Sequence, residues 1–360
     1  MLLRLVAFSD KSQFRHSVIS LKDMGVTGDR LTNLKTYVKA IQMSPALSDA
    51  DTIGRLAHTL SQLRPDIVQT WMYHSDLVGS SANLADGNSA FARDALTSRY
   101  TTSAVKPPAI RVSKLGSKLC DANSQFIVCC SEEARQWHIS MGYDPRFVRV
   151  IPNGFDTELY KPDVVARLKV REQLEIQRDA VVIGHVGRYH PMKNHRGLIA
   201  AAETFSKSNR NVEWILCGDG VDEDNATLWH AVREARLTKR VHLLGLWDDM
   251  AEIYNTMDMF TMCSTDGEGF PGVVGEAMAC GIPCVVTDVG DSKSLVGDTG
   301  VVIRPDDSSE LVAAWQSILK IEPSSRQLLG TKARDRIRSC YEIRDVVQLY
   351  ENLYEEIAAS

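Results

Sequence analysis

No apolar run in the sequence approaches the ~18 residues that a membrane span needs. The start carries no basic stretch followed by an apolar core and a cleavage site. Neither a spanning helix nor a secretory leader is expected, and contact with a membrane surface stays open. An excess of positive charge is also missing. Lys and Arg number 41 against 46 Asp and Glu, a net charge of −5, so the chain is not built to coat nucleic acid through bulk charge. The eight cysteines (Cys120, Cys129, Cys130, Cys217, Cys263, Cys280, Cys284 and Cys340) contain no C-x-x-C pair and no Cys/His ladder for zinc. Most sit in apolar runs such as FIVCC and WILCG, and read as small buried hydrophobes of a reducing, cytoplasmic compartment. Repeats of solenoid period and low-complexity segments are absent. What remains is a globular composition, 44 % apolar and 24 % charged over 360 residues, with material for two domains.

Short apolar runs alternate with longer amphipathic stretches. Residues 16–21, 37–43, 66–73, 124–130 and 147–152 read as strands, and those near 1–9, 49–63, 75–86, 110–121 and 131–141 as helices. A second series follows, with strands at 181–187, 212–217, 240–244, 257–263, 283–287 and 300–303. Helices are expected near 193–207, 223–236, 248–255, 271–280 and 306–320. Continuous β-branched runs between helices predict parallel sheets covered on both faces. The fold class is α/β, with two doubly wound Rossmann-like domains facing across a cleft. Turn residues without periodicity place the linker at 151–163. The first domain is expected over 1–155 and the second over 156–341, with a last amphipathic helix at 342–360 completing the first.

Two places are irregular. The chain opens inside a helix pattern, LLRLVAF, with no strand and Gly-rich turn ahead of it. Residues 87–109 hold no convincing strand where the alternation asks for one. The stretch 93–118 carries Arg93, Arg99, Lys106, Arg111, Lys114 and Lys118 against Asp94. It is either a solvated face or a patch that meets anionic lipid or an anionic acceptor.

Two strand-to-helix junctions could carry chemistry. In GHVGRYHPMKN (184–194), Gly187 lets the backbone approach a ligand. Arg188 and Lys193, five residues apart across a turn, can converge on one diphosphate. Taken alone, the same pattern fits two solvated charges. In STDGEGFPGVVGEAMACGIPCVVTDVG (264–290), Glu268 and Glu276 form E-x7-E around Phe270, Pro271, Gly272 and Val273. Pro271 predicts a helix beginning near Phe270, whose free N–H groups attract phosphate. Glu276, one turn in, can accept two hydrogen bonds from the vicinal diol of a ribose, and Glu268 can reach the group beyond the diphosphate. The acids of GDGVDEDN (218–225) fit turn and cap positions better than ligands.

VIPNGFDTELYKPD, GHVGRYHPMKNH, CGDGV, LLGLWDDM, EGFPGVVGEAMACGIPCVVTDVGDS and GDTGVVI, in this order, resemble the family 4 glycosyltransferases, retaining enzymes of two-Rossmann GT-B architecture. The resemblance covers 120–340 and extends more weakly to RHSVISL and DIVQTWMYHSDLVG. It implies that Arg188 and Lys193 bind the donor diphosphate and support its departure. It also implies that Glu276 binds ribose, that Glu268 stands beside the donor sugar, and that the amides of 270–273 meet sugar and phosphate. No metal and no cofactor is implied, the nucleotide-sugar being a co-substrate. The implied acceptor is a saccharide or lipid-linked saccharide, met at the inner face of the membrane if 93–118 docks there. Relatives open with a strand and Gly-rich turn that this chain lacks ahead of Met1, and His74 is the nearest candidate for their strand-end histidine. Two other readings remain open, a nucleotide-sugar binding protein without transfer and a GT-B epimerase.

Overall fold

The computed structural model describes residues 1–43, 50–86, 90–95 and 126–359. The chain divides into two compact units, Met1–Gly154 with Ile343–Ser360, and Phe155–Glu342.

The first unit runs α1 (Leu2–Phe8), β1 (Ser17–Ser20), α2 (Gly25–Asn33), β2 (Tyr37–Ala40), α3 (Ala50–Leu63), β3 (Ile67–Trp71), α4 (Tyr73–Asp86), β4 (Ala90–Ala95), β5 (Phe126–Cys129), α5 (Glu132–Ser140) and β6 (Val148–Val150). All its strand pairs are parallel, and they lie in two sheets, β1-β2 and β3-β4-β5-β6. Among the described residues no strand precedes α1, and no ladder joins β1 to β3. Ile19 of β1 and Val68 of β3 nevertheless pack on one cluster, formed by Ile41, Leu56, Leu60, Val78 and Ala82. The expectation that 87–109 holds no strand is corrected by β4. Its composition is a poor strand signal, but it pairs on both sides, Ile67 with Ala90 and Ala92 with Phe126, and a two-sided ladder overrides weak propensity. Arg93 and Asp94 lie on β4. Arg99, Lys106, Arg111, Lys114, Lys118, Cys120 and the helix expected at 110–121 lie outside the described residues.

The second unit runs α6 (Val164–Gln173), β7 (Val181–Val186), α7 (His195–Ser206), β8 (Val212–Cys217), α8 (Ala226–Glu234), β9 (Val241–Leu243), α9 (Met250–Thr256), β10 (Met259–Met262), α10 (Gly272–Ala279), β11 (Cys284–Thr287), α11 (Ser292–Val296), β12 (Gly300–Ile303), α12 (Ser308–Lys320) and α13 (Pro323–Cys340). Its six strands form one parallel sheet, ordered β12-β11-β10-β7-β8-β9. Strands β10 and β11 are buried along their whole length, as a sheet covered on both faces requires. Phe205, Trp214 and Trp315 pack in its core, with Phe205 edge-on to both indoles. Sequence order runs outward from β7 to β9, then restarts on the other side of β7 with β10. The loops after β7 and β10 therefore leave adjacent strands toward opposite faces, and this switch point is where open α/β sheets hold ligands.

The last helix, α14 (Ile343–Ala359), returns to the first unit. It supplies seven of the eleven buried members of a cluster whose others are Leu5, Phe126, Val128 and Ile151. Glu351 accepts from the Ser9 hydroxyl at 2.7 Å and from the Asp10 amide at 2.8 Å, so α14 also fixes the end of α1. The described cysteines are all free, and all are buried except Cys340. No helix of the described residues is long and apolar enough to cross a membrane.

Candidate active site

The loop after β7 is built by close backbone approach. The Gly187 amide donates to the Cys217 carbonyl at 2.9 Å, and the Tyr189 amide to Asp219 at 2.7 Å. Gly218, at φ +151°, passes so near that a Cβ there would stand 2.3 Å from the Gly187 oxygen. The stem of Lys193 lies over Gly187, where a Cβ would sit 3.3 Å from its Cδ. Glycine at 187 thus keeps the path of Lys193 open. Asn194, in the left-handed region at φ 53°, caps α7 by accepting from the Gly197 amide at 3.1 Å. That turn brings Lys193 back toward the neighbouring loop.

The loop after β10 meets it. The Thr265 amide donates to the Met192 carbonyl at 2.8 Å. Lys193 Nζ donates to Glu268 Oε1, forming an ion pair whose side chains are only 19 % and 11 % exposed. Ser264 Oγ donates to the same oxygen at 2.6 Å. From behind, Gly290, at φ 57°, supports this segment so closely that a Cβ would lie 2.2 Å from the Glu268 carbonyl oxygen. The Asp291 amide donates to the Gly269 carbonyl at 2.9 Å.

Phe270 is buried against Phe155 and Tyr341, with ring centroids at 6.1 and 5.4 Å. Anchored there, the chain turns into α10. The helix begins at Gly272, with Pro271 as its N-cap, rather than near Phe270. Pro271 offers no side-chain cap, so the first amides, those of Gly272 and Val273, face outward from the helix start. One turn in, Glu276 is half-buried and accepts a hydrogen bond from the Tyr254 hydroxyl at 3.0 Å.

The structure places Gly187, Arg188, Lys193, Glu268, Phe270 and Pro271 on the two loops of the switch point, and Gly272, Val273 and Glu276 in the first turns of α10. Lys193 and Glu268 touch. Arg188, on the same turn as Gly187, is exposed, and no carboxylate among the described residues pairs with it. In the loop 218–225, Asp222 accepts from the Asn225 amide at 3.1 Å, and Asn225 caps α8, which are turn and cap roles. His74 lies in the first turn of α4. No group of three or more His, Cys, Asp or Glu among the described residues could hold a metal ion. Tyr254 and Ser264 were not legible beforehand, because a tyrosine in an apolar helix reads as core and a lone serine as a turn.

Two family models cover most of the chain, Glycosyltransferase Family 4 over residues 2–159 and Glycosyl transferases group 1 over 180–320. Among relatives, EpsF of Bacillus subtilis is 31 % identical over 204 residues, covering 55 % of this chain and 50 % of its own. The UDP-Gal:alpha-D-GlcNAc-diphosphoundecaprenol alpha-1,3-galactosyltransferase of Escherichia coli is 26 % identical over 239 residues, 65 % of this chain and 61 % of that one. The chain thus spans between half and two thirds of the length of these relatives. Among solved structures, Anabaena HepE in complex with UDP-glucose superposes with a TM-score of 0.86 at 21 % identity, covering 98 % of this chain and 95 % of that one. A Rickettsia africae glycosyltransferase superposes at 0.84 with 17 % identity, over 99 % and 93 %. At these identities the likeness shows the fold, which is GT-B.

Proposed function

Because the chain belongs to the family 4, group 1 glycosyltransferases, we propose that it moves a sugar from a nucleotide-sugar donor to a saccharide or lipid-linked acceptor. The transfer retains configuration at the anomeric carbon and serves cell-envelope or extracellular polysaccharide synthesis. The observation that carries this reading is the meeting of Lys193 with Glu268 across the switch point, beside a helix start without a side-chain cap.

The donor diphosphate gains charge as it leaves. Arg188, Lys193 and the amides of Gly272 and Val273 supply fixed positive potential for that charge, without a metal ion. Lys193 is held in place by its ion pair with Glu268. Glu276 takes the ribose hydroxyls. Glu268, whose carboxylate is already oriented by Ser264 and Lys193, stands beside the donor sugar. The bond from sugar to phosphate oxygen is replaced by one to the oxygen of an acceptor hydroxyl, whose proton passes to the departing nucleoside diphosphate. The donor class draws support from HepE, solved with UDP-glucose. The acceptor class draws support from the Escherichia coli relative, whose name gives a diphosphoundecaprenol-linked sugar. The basic stretch 93–118 is the part of the chain suited to an anionic acceptor at the inner membrane face.

A second reading, a nucleotide-sugar binding protein without transfer, is favoured by the separation of β1-β2 from β3-β4-β5-β6. A thermal-shift panel of UDP-, GDP- and ADP-sugars, followed by measurement of nucleoside diphosphate release with and without lipid-linked acceptors, tests both. Stabilisation by one donor and acceptor-dependent release is expected. Stabilisation without release selects the second reading, and no stabilisation by any donor sinks both.

A further inference from the structure

Tyr254 is enclosed on every side. It is fully buried at the end of α9, with its ring edge-on to Phe260 at 5.9 Å and to Tyr160 at 6.0 Å. A buried phenol must place its hydroxyl against an acceptor, and packing alone would be served by phenylalanine. The acceptor it finds is Glu276 Oε2, at 3.0 Å. Glu276 stands on α10 with three rotatable bonds between backbone and carboxylate. One charge-assisted hydrogen bond from a rigid ring restricts those bonds. Burial, and then the carboxylate's own charge, push the phenol's pKa well above 10, so the group stays a donor. A carboxylate has about four acceptor positions, and the bond from Tyr254 takes up one of them.

We propose that Tyr254 is a positioning residue that holds Glu276 in the orientation needed to accept from the two ribose hydroxyls of the donor, and so sets the preference for ribonucleotides over deoxyribonucleotides. The inference rests on the reading of Glu276 as the ribose ligand. It adds a residue that touches no substrate and acts through a single oxygen atom.

The test compares the full chain with Tyr254→Phe, which removes one atom from the ring, and with Glu276→Ala. Calorimetry measures Kd for UDP, GDP and ADP and for their 2′-deoxy counterparts. For the nucleotide that binds, the wild type favours the ribose form. Glu276→Ala abolishes the preference, and Tyr254→Phe shrinks it by about tenfold or more, a loss in the range of one hydrogen bond to a charged group. A residue that merely packed would change the melting temperature and leave that ratio alone. If Tyr254→Phe keeps the wild-type ratio while Glu276→Ala loses it, the inference falls and the reading of the site stands. If Glu276→Ala also keeps the ratio, the reading of the site falls and takes the inference with it. Should Phe at 254 lower the yield of folded chain, the same ratio is read on Tyr254→Met.

Discussion

Lys193 and Glu268 form a mostly buried ion pair between the loops that follow β7 and β10, and Ser264 binds the same carboxylate oxygen. Two loops that diverge from neighbouring strands are thereby tied to each other.

Removing one partner leaves a largely desolvated charge. Lys193→Met is expected to lower the stability of the second unit by about 3 kcal/mol, and Lys193→Met with Glu268→Gln by clearly less. Urea unfolding of the singles and the double measures this. A loss in the double equal to the sum of the two single losses would show that the pair is not coupled. Transfer falls in all three.

Arg188 gives the opposite combination. It is exposed and has no ion-pair partner among the described residues, so Arg188→Ala leaves the melting temperature within about one degree. Turnover drops about a hundredfold if the cation stabilises the leaving diphosphate. Melting curves together with initial rates decide it, and an unchanged rate would remove Arg188 from the site.

Two glycines separate close approach from open space. A methyl group on Gly290 would collide with the Glu268 carbonyl, at a φ that disfavours any side chain, whereas nothing lies within 4 Å of a Cβ on Gly272. Gly290→Ala is expected to cost about 2 kcal/mol or more and to weaken donor binding. Gly272→Asn is expected to fold normally and to add an amide donor at the mouth of α10. Calorimetric affinity for the donor nucleotide and thermal melts compare them.

Buried histidines set an acid limit. Burial, then the neighbouring His195, pushes His185 down to about 3, and burial pushes His195 and His138 to about 4. Unfolded, each would take a proton near pH 6.5. The folded chain therefore has its full stability above about pH 6.5. It loses about 1.4 kcal/mol per pH unit for each ring as pH falls toward 4. Both units carry such a ring, so in melting scans between pH 7.5 and 5 the transition should hold steady down to about pH 6.5 and fall below it. A flat profile would contradict the burial.

The second unit was legible from sequence because its strands are covered on both faces and read as unbroken apolar runs. The expected strand at 212–217 and β8 coincide, and β11 starts one residue inside its expected range. The helix α13 left no such trace. It buries only Gly330, Ala333 and Ile337, and makes contact through bare backbone, a Cβ on Gly330 falling 1.9 Å from the Gly281 oxygen. Small-residue packing has no hydrophobic period to detect. The same holds for α2, which buries Gly28 and Leu31, while β4 is held by ladders on both sides rather than by composition. At the site, glycine and proline marked the two loops, since turn geometry is local. The partners of the glutamates could not be read, because Tyr254 reaches Glu276 across 22 positions and Lys193 reaches Glu268 across 75.

The dependence of the first unit on α14 has a consequence for biosynthesis. A ribosome delivers residues 1–154 long before 343–360, and nascent domains ordinarily fold in the order they emerge. Here the later-made unit has all its residues in hand first. The earlier one lacks the cover of Leu5, Phe126, Val128 and Ile151 until α14 has been made, so its apolar surface stays exposed through the synthesis of the whole second unit.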